Sequence, residues 1–479
     1  MFTSLKRITS QNTILKNFSV LTLSNTLSQF LFIFTSIKVA RSLSPVAFGS
    51  YNLLQLHISI FSVIACFGLR NIIIRSIARN RSLIKNIFFT GLVIRFATLV
   101  LTILLYFVYY FIYRQYDNLL FVLVIVSIVS TVLFDLFESV AFGIEKMEFS
   151  GIINFISTLC WLLTILLIPE EQLTLKLIFG LFVFFSTLKT LVYFFSIYKA
   201  DYVKGFTKLN IERKEIFDFT KESFPYYYLA LFTLLSNQIP LLFLEYRSGV
   251  AEIGYFNIAS KVLMPINLVL LTALAAIFPN LSRLFISNYT LFIRNVKIIF
   301  TLVTIFGMVG AFGVTFFRSE VIFLLYGEKY MDSSLVLGYQ IWYVAIYSVV
   351  CLIGTIMGAI NRQKELSYLS TVCTIIQVPI LWYGSKFGAE YLSAAFLVAT
   401  TILLIIHIYV INTYLKKDIS LFFYVKIMAL FVIGYVVSLL TPEGLNFFYK
   451  AIIFIMISVL GGYFLFSKYK NDLKKIFAK

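Results

Sequence analysis

Long apolar runs succeed one another along this chain with only short polar breaks, and that succession fixes its solvent before anything else can be argued. A bilayer core about 30 Å thick takes roughly 20 apolar residues per helix, and about fourteen runs meet that rule. They start near Phe18, Pro45, Asn86, Leu119, Ser150, Thr174, Pro225, Ile253, Ile293, Leu335, Leu366, Glu390, Leu421 and Phe448. A soluble domain needs polar side chains over its surface. At 60% hydrophobic and 13% charged residues, this chain has too few to cover one. The expected fold is all-α: a polytopic integral membrane protein of about fourteen transmembrane helices.

The net charge of +18 would suit a nucleic-acid partner, but its placement speaks for topology instead. With a cytoplasmic N-terminus, one side collects Arg70, Arg75, Arg79, Arg81, Lys85, Lys199, Lys204, Lys208, Arg213, Lys214 and Lys221. It also collects Arg283, Arg294, Lys297, Arg362, Lys364, Lys416, Lys417 and the tail from Lys468 to Lys479. The other side mixes scattered Lys and Arg with Glu170, Glu171, Glu320, Glu328, Asp332 and Glu443. This is the positive-inside pattern, with both termini in the cytoplasm. No nucleic-acid partner is expected. The first run continues to Ile37 without a small-residue cleavage site, so no cleavable signal is expected. Cys66, Cys160, Cys351 and Cys373 lie inside apolar runs, with neither metal nor disulfide spacing.

The longest polar stretch, Lys199 to Ser223, alternates charge with Ile211, Ile216, Phe217 and Phe219, as an interfacial amphipathic helix does. It reads as a linker between halves. Val46-Ala47-Phe48-Gly49-Ser50-Tyr51-Asn52 is echoed by Ala251-Glu252-Ile253-Gly254-Tyr255-Phe256-Asn257, and Ser157-Thr158-Leu159-Cys160 by Ser370-Thr371-Val372-Cys373. Two echoes with a six-helix period describe a parallel repeat. The expected organisation is an N-terminal six-helix lobe over 1–198, a cytoplasmic linker over 199–223 and a second six-helix lobe over 224–415. Two additional helices and a basic cytoplasmic tail fill 416–479.

The segment Ala40-Arg41-Ser42-Leu43-Ser44-Pro45-Val46-Ala47-Phe48-Gly49-Ser50-Tyr51, with Gly254-Tyr255-Phe256-Asn257-Ile258-Ala259, resembles the bacterial polysaccharide (O-antigen, Wzx-type) flippases. Their superfamily also holds multidrug-cation antiporters and the peptidoglycan-precursor flippase. The resemblance implies two six-helix lobes around a central cavity, alternating access, and a bacterial inner-membrane location. The implied cargo is an undecaprenyl-diphosphate-linked oligosaccharide carried to the periplasmic face. Further implied partners are membrane lipids, a polysaccharide polymerase and a chain-length regulator; no cofactor or metal is implied. Where many relatives carry an acidic residue in the seventh helix, this chain has Asn237-Gln238.

Ionisable residues within spans are expensive and usually face a cavity. The candidates for holding a diphosphate are Lys38, Arg41, Arg95, Lys189 and Lys261, because Arg forks and Lys point charges supply charge-assisted bonds to phosphate. Snorkelling to the interface is the alternative for Lys38, Arg41 and Arg95, and less so for the deeper Lys189 and Lys261. Asp135 and Glu138 share a helical face and serve either as counter-charges or as an ion-coupling site. His57 and His407 read as hydrogen-bonded packing residues, with a proton relay as the alternative. Thr22, Asn25, Gln29 and Ser36 fall within a sector of about 60° on the first helix. Asn154, Ser157, Thr158 and Trp161 form a comparable stripe, as do Ser367, Ser370, Thr374 and Gln377. Such stripes either glue helices together or face sugar hydroxyls. Prolines at 225, 240, 265 and 379 mark expected kinks.

The reading is a flippase without enzymatic activity, since neither a Walker loop nor HExxH occurs. Two rivals stand beside it. A membrane-embedded polysaccharide polymerase of the same pathway would carry a large periplasmic loop. A cation or drug antiporter of the same superfamily would line its cavity with acidic residues.

Overall fold

Apolar runs with no β-breaking rhythm fold as helices, and in this computed structural model they do. It describes residues 2–113, 117–199, 213–415, 418–440, 448–456 and 459, and among these no strand occurs. The chain forms two compact units, Met1–Ile239 and Pro240–Lys479. The first holds α1 (Phe2–Ser42), α2 (Pro45–Cys66), α3 (Leu69–Arg79), α4 (Ile84–Tyr113), α5 (Asn118–Gly143), α6 (Met147–Leu167), α7 (Leu175–Lys199) and α8 (Arg213–Asn237). After the boundary come α9 (Ile239–Ser248), α10 (Val250–Ser287), α11 (Tyr289–Phe316), α12 (Arg318–Tyr326), α13 (Ser333–Ala359), α14 (Gln363–Gly384), α15 (Ala389–Tyr414) and α16 (Leu421–Leu440).

Twelve helical segments are long and apolar enough to span a bilayer among the described residues, and each coincides with one of the first twelve apolar runs. The thirteenth run is α16, a helix over Leu421–Leu440. The fourteenth is helical over 448–456, and 441–447 lies outside the described residues. Residues 200–212 of the polar stretch also lie outside them; from Arg213 the chain is helical and runs through Pro225 into a span. Pro265 and Pro379 likewise sit inside helices, while Pro240 follows a real break at Gln238, where α8 gives way to α9.

Local chemistry explains where the helices begin and end. Ser44 has extended backbone, its Oγ accepts from the Ala47 N–H at 3.3 Å, and Pro45 follows at the first helical position of α2. That helix stops because Phe67 and Gly68 both take left-handed backbone, at φ 49° and 68°. A methyl group on Gly68 would lie 2.5 Å from Tyr227 N and 2.8 Å from Ser223 O, so α8 backbone rests directly on this glycine.

The two units repeat one packing scheme. In the first, α5 is central and packs on α2, α4 and α7; in the second, α13 packs on α10, α11 and α15 in the same way. The ends of the central helices match bond for bond. Lys146 N–H reaches Ala141 O and Arg362 N–H reaches Met357 O, both at 2.9 Å, while Glu145 and Asn361 take left-handed backbone. The sequence echo has a structural counterpart too. Asn52 and Asn257 each donate to the carbonyl four residues back, at 2.7 and 2.9 Å. Carried along the central helices, this register aligns Asp135 with Cys351 and Glu138 with Gly354. The charges of α5 therefore have no counterpart in α13.

Candidate functional site

Around α5, four helices of the first unit contribute to one charge network. Asp135 and Glu138 lie three residues apart and face the same guanidinium. Arg70 Nη1, on α3, donates to Asp135 Oδ1 and to Glu138 Oε2, each at 2.6 Å. From α4, Arg95 donates to the other Asp135 oxygen and to the Val132 carbonyl. Ser150, at the start of α6, donates to Glu138 Oε1. Arg95 is 0% exposed, and its charge is tolerable only because a carboxylate and a carbonyl meet it. Burial works against the charge on Arg70, but the two carboxylates more than offset it and hold that guanidinium above its ordinary pKa.

The apolar shell explains why these groups meet. Leu69, Ile73 and Ile77 of α3 are fully buried against Leu136, Phe137 and Val140 of α5, with Phe88 and Phe89 of α4 in the same cluster. Seating that face of α3 carries Arg70 to the two carboxylates. On α7, Lys189 places its Nζ 4.1 Å from the centre of the Phe134 ring, a cation–π contact one residue from Asp135. Three cations, Arg70, Arg95 and Lys189, thus gather around Asp135 and Glu138.

The other candidates lie elsewhere. Lys38, near the end of α1, pairs with Glu170 at 2.7 Å, and Arg41 is exposed at the same helix end. Lys261 lies on α10 in the second unit, 9% exposed. Asn25 and Gln29 of α1 are partly buried, as are Asn154 and Ser157 of α6. These two helices pack on each other, and Gly151 admits Leu21 and Ser24 closely. Ser157 Oγ donates to the Phe185 carbonyl of α7 at 3.4 Å. Thr374 and Gln377 are buried in α14, and Thr374 donates to the Ser370 carbonyl. His57 meets the Tyr109 hydroxyl at 3.2 Å, and His407 Nδ1 lies 2.8 Å from the Leu403 carbonyl, so that nitrogen carries the proton.

Arg70 is the participant that the sequence reading placed among loop charges. Its signal was the short amphipathic spacing Leu69, Ile72, Ile73, Ile77, which buries one face of α3 and turns Arg70 toward α5.

A helical, polytopic membrane protein built on a repeated unit, with charge buried in one repeat, is the class these features define. A profile of polysaccharide biosynthesis proteins matches residues 14–285, more than half of the chain. The chain belongs to that family. Among curated proteins no sequence matches it. Of the solved structures it is similar to, the lipid II flippase MurJ in an inward closed conformation aligns with a TM-score of 0.70 at 16% identity, over 95% of this chain and 99% of that one. An inward-facing multidrug resistance MATE family transporter of the MOP superfamily aligns at 0.61 and 16% identity, over 82% and 96%. A MOP superfamily transporter from Pyrococcus furiosus aligns at 0.56 and 12% identity, over 87% and 96%. At such identities these likenesses speak for the fold.

Proposed function

We propose that the protein is a flippase that carries a lipid-linked saccharide, such as an undecaprenyl-diphosphate-linked repeat unit, from the cytoplasmic to the periplasmic leaflet. The observation that carries the reading is the family match over residues 14–285, joined to a fold shared along nearly its whole length with a protein described as a lipid II flippase. The chemistry is compatible. A diphosphate cannot cross hydrocarbon without charged partners, and this chain gathers Arg70, Arg95 and Lys189 around α5. Arg95 is engaged by Asp135 and Val132, and Lys38 by Glu170. We assign headgroup contact first to Lys189 in the first unit and Lys261 in the second, both of which lie well inside their spans.

Replacing Lys189 or Lys261 with Ala is expected to abolish surface polysaccharide while leaving protein abundance unchanged, with Lys→Arg partly tolerated. Normal polysaccharide from both Ala variants would remove these residues from the headgroup path. The orientation we assign, with both termini cytoplasmic, is checked separately. Reporters fused after Lys208 and Lys417 are expected inside, and those after Glu171 and Asp332 outside. An external signal at Lys208 would refute this orientation.

A further inference from the structure

Arg70 makes both of its carboxylate bonds from a single atom, Nη1. Its Nε and Nη2 find no acceptor among the described residues. Nor are they enclosed: the buried polar atoms without partners include Nε of Arg75 and Nε of Arg95, but none of Arg70. The Arg70 side chain is 34% exposed. One edge of the guanidinium is thus fixed to Asp135 and Glu138, one face lies 5.0 Å from the centre of the Phe142 ring, and the opposite edge is open. That open edge presents two parallel N–H groups, a fork that matches two oxygens of a phosphate.

Position supports the same chemistry. Arg70 lies on α3, between the candidate spans Pro45–Cys66 and Arg81–Tyr113, hence where the chain leaves the hydrocarbon. Lipid phosphates occupy this boundary, and basic groups there are drawn to them.

We propose that the Nε–Nη2 edge of Arg70 binds a phosphate group carried by a lipid headgroup, and that Asp135, Glu138 and Phe142 act as positioning residues that aim it. Two lipids offer this chemistry at the boundary: a polyprenyl diphosphate, which is the cargo if the transport reading above holds, and an ordinary anionic phospholipid. Arg70 differs in kind from the deeper lysines. It is held rigid before the ligand arrives, so less conformational freedom is lost on binding.

The test uses the full chain in phosphatidylcholine nanodiscs and measures binding of undecaprenyl diphosphate and, separately, of phosphatidylglycerol. Arg70→Lys keeps a positive charge for both carboxylates but loses the fork. The native melting temperature is expected to survive, with affinity falling about tenfold for one lipid or both. Arg79→Lys, an exposed site on the same helix, is expected to change neither. Loss confined to the diphosphate identifies cargo capture; loss confined to phosphatidylglycerol identifies a bound membrane lipid. Native affinity of Arg70→Lys for both lipids overturns the site. Should the lysine variant melt early, Phe142→Leu leaves every ion pair in place and removes the ring; it is expected to weaken the same lipid, and unchanged binding overturns the proposal. A flipping assay on vesicles of native protein separates the two readings. Binding through Arg70 without flipping refutes transport and keeps the site, whereas flipping with binding indifferent to Arg70 does the reverse.

Discussion

Asp135→Asn is expected to destabilise the first unit by about 3–5 kcal/mol, the usual cost of removing one partner from a buried ion pair. The reason is Arg95. Its side chain has no exposure, and after the substitution it keeps only the Val132 carbonyl and a neutral amide to answer a full charge. Arg70 suffers less, because Glu138 still accepts from its Nη1 at 2.6 Å. Abundance in the membrane and melting of the detergent-purified protein measure the effect. A double variant, Arg95→Met with Asp135→Leu, removes the charge and its partner together and is expected to recover most of the loss, since apolar replacement of a buried pair is often neutral. If Asp135→Asn melts like the native protein yet no longer responds to an imposed pH gradient, Asp135 is a coupling group and the structural role is wrong.

The sequence made the spans legible because length and apolarity are local properties. Twelve runs could be marked from residue order alone, and each is a helix long and apolar enough to cross a bilayer. Spacing also placed Asp135 and Glu138 on one face, where the same Nη1 of Arg70 reaches both. Residue order could not supply the partner. Arg70 stands with Arg75, Arg79 and Arg81 in what looks like a uniform run of boundary charge, and its acceptor lies 65 residues further on. Lys38 was legible as a charge near a helix end, but not its pairing with Glu170, 132 residues away. Long-range pairing depends on which helix packs on which. The hydropathy of these helices, apolar around most of their circumference, records that poorly because lipid and protein neighbours are equally apolar.

Gly68→Ala carries the other large expected effect, and it acts through the backbone rather than through charge. At φ 68° an alanine is strained by about 1–2 kcal/mol. Its methyl group would also meet Tyr227 N at 2.5 Å and Ser223 O at 2.8 Å. Both are main-chain atoms of α8, so no rotamer change can relieve the contact and the helix itself must shift. Overpacking of this kind typically costs a further 1–3 kcal/mol or so. Ile216 and Phe219 of α8 pack on the same core as α3 and α5, so the shift is resisted there as well. Only Ser223 and Leu234 are buried among the described residues of α8, while the Phe67 ring stacks on Tyr227 at 4.5 Å and Arg75 pairs with Glu222. Ser223, the Phe67–Tyr227 stack and the Arg75–Glu222 pair all lie near Gly68, so displacing α8 there loosens its hold on α3. Gly180, with nothing within 4 Å of a would-be methyl group on α7, is the control; Gly180→Ala is expected to be neutral or stabilising by up to about 1 kcal/mol. Thermal melting of both variants, with hydrogen exchange over 220–230, checks the pair. A Gly68→Ala protein that melts with the native one and keeps α8 equally protected would mean that the close approach of α8 to Gly68 is not what seats that helix.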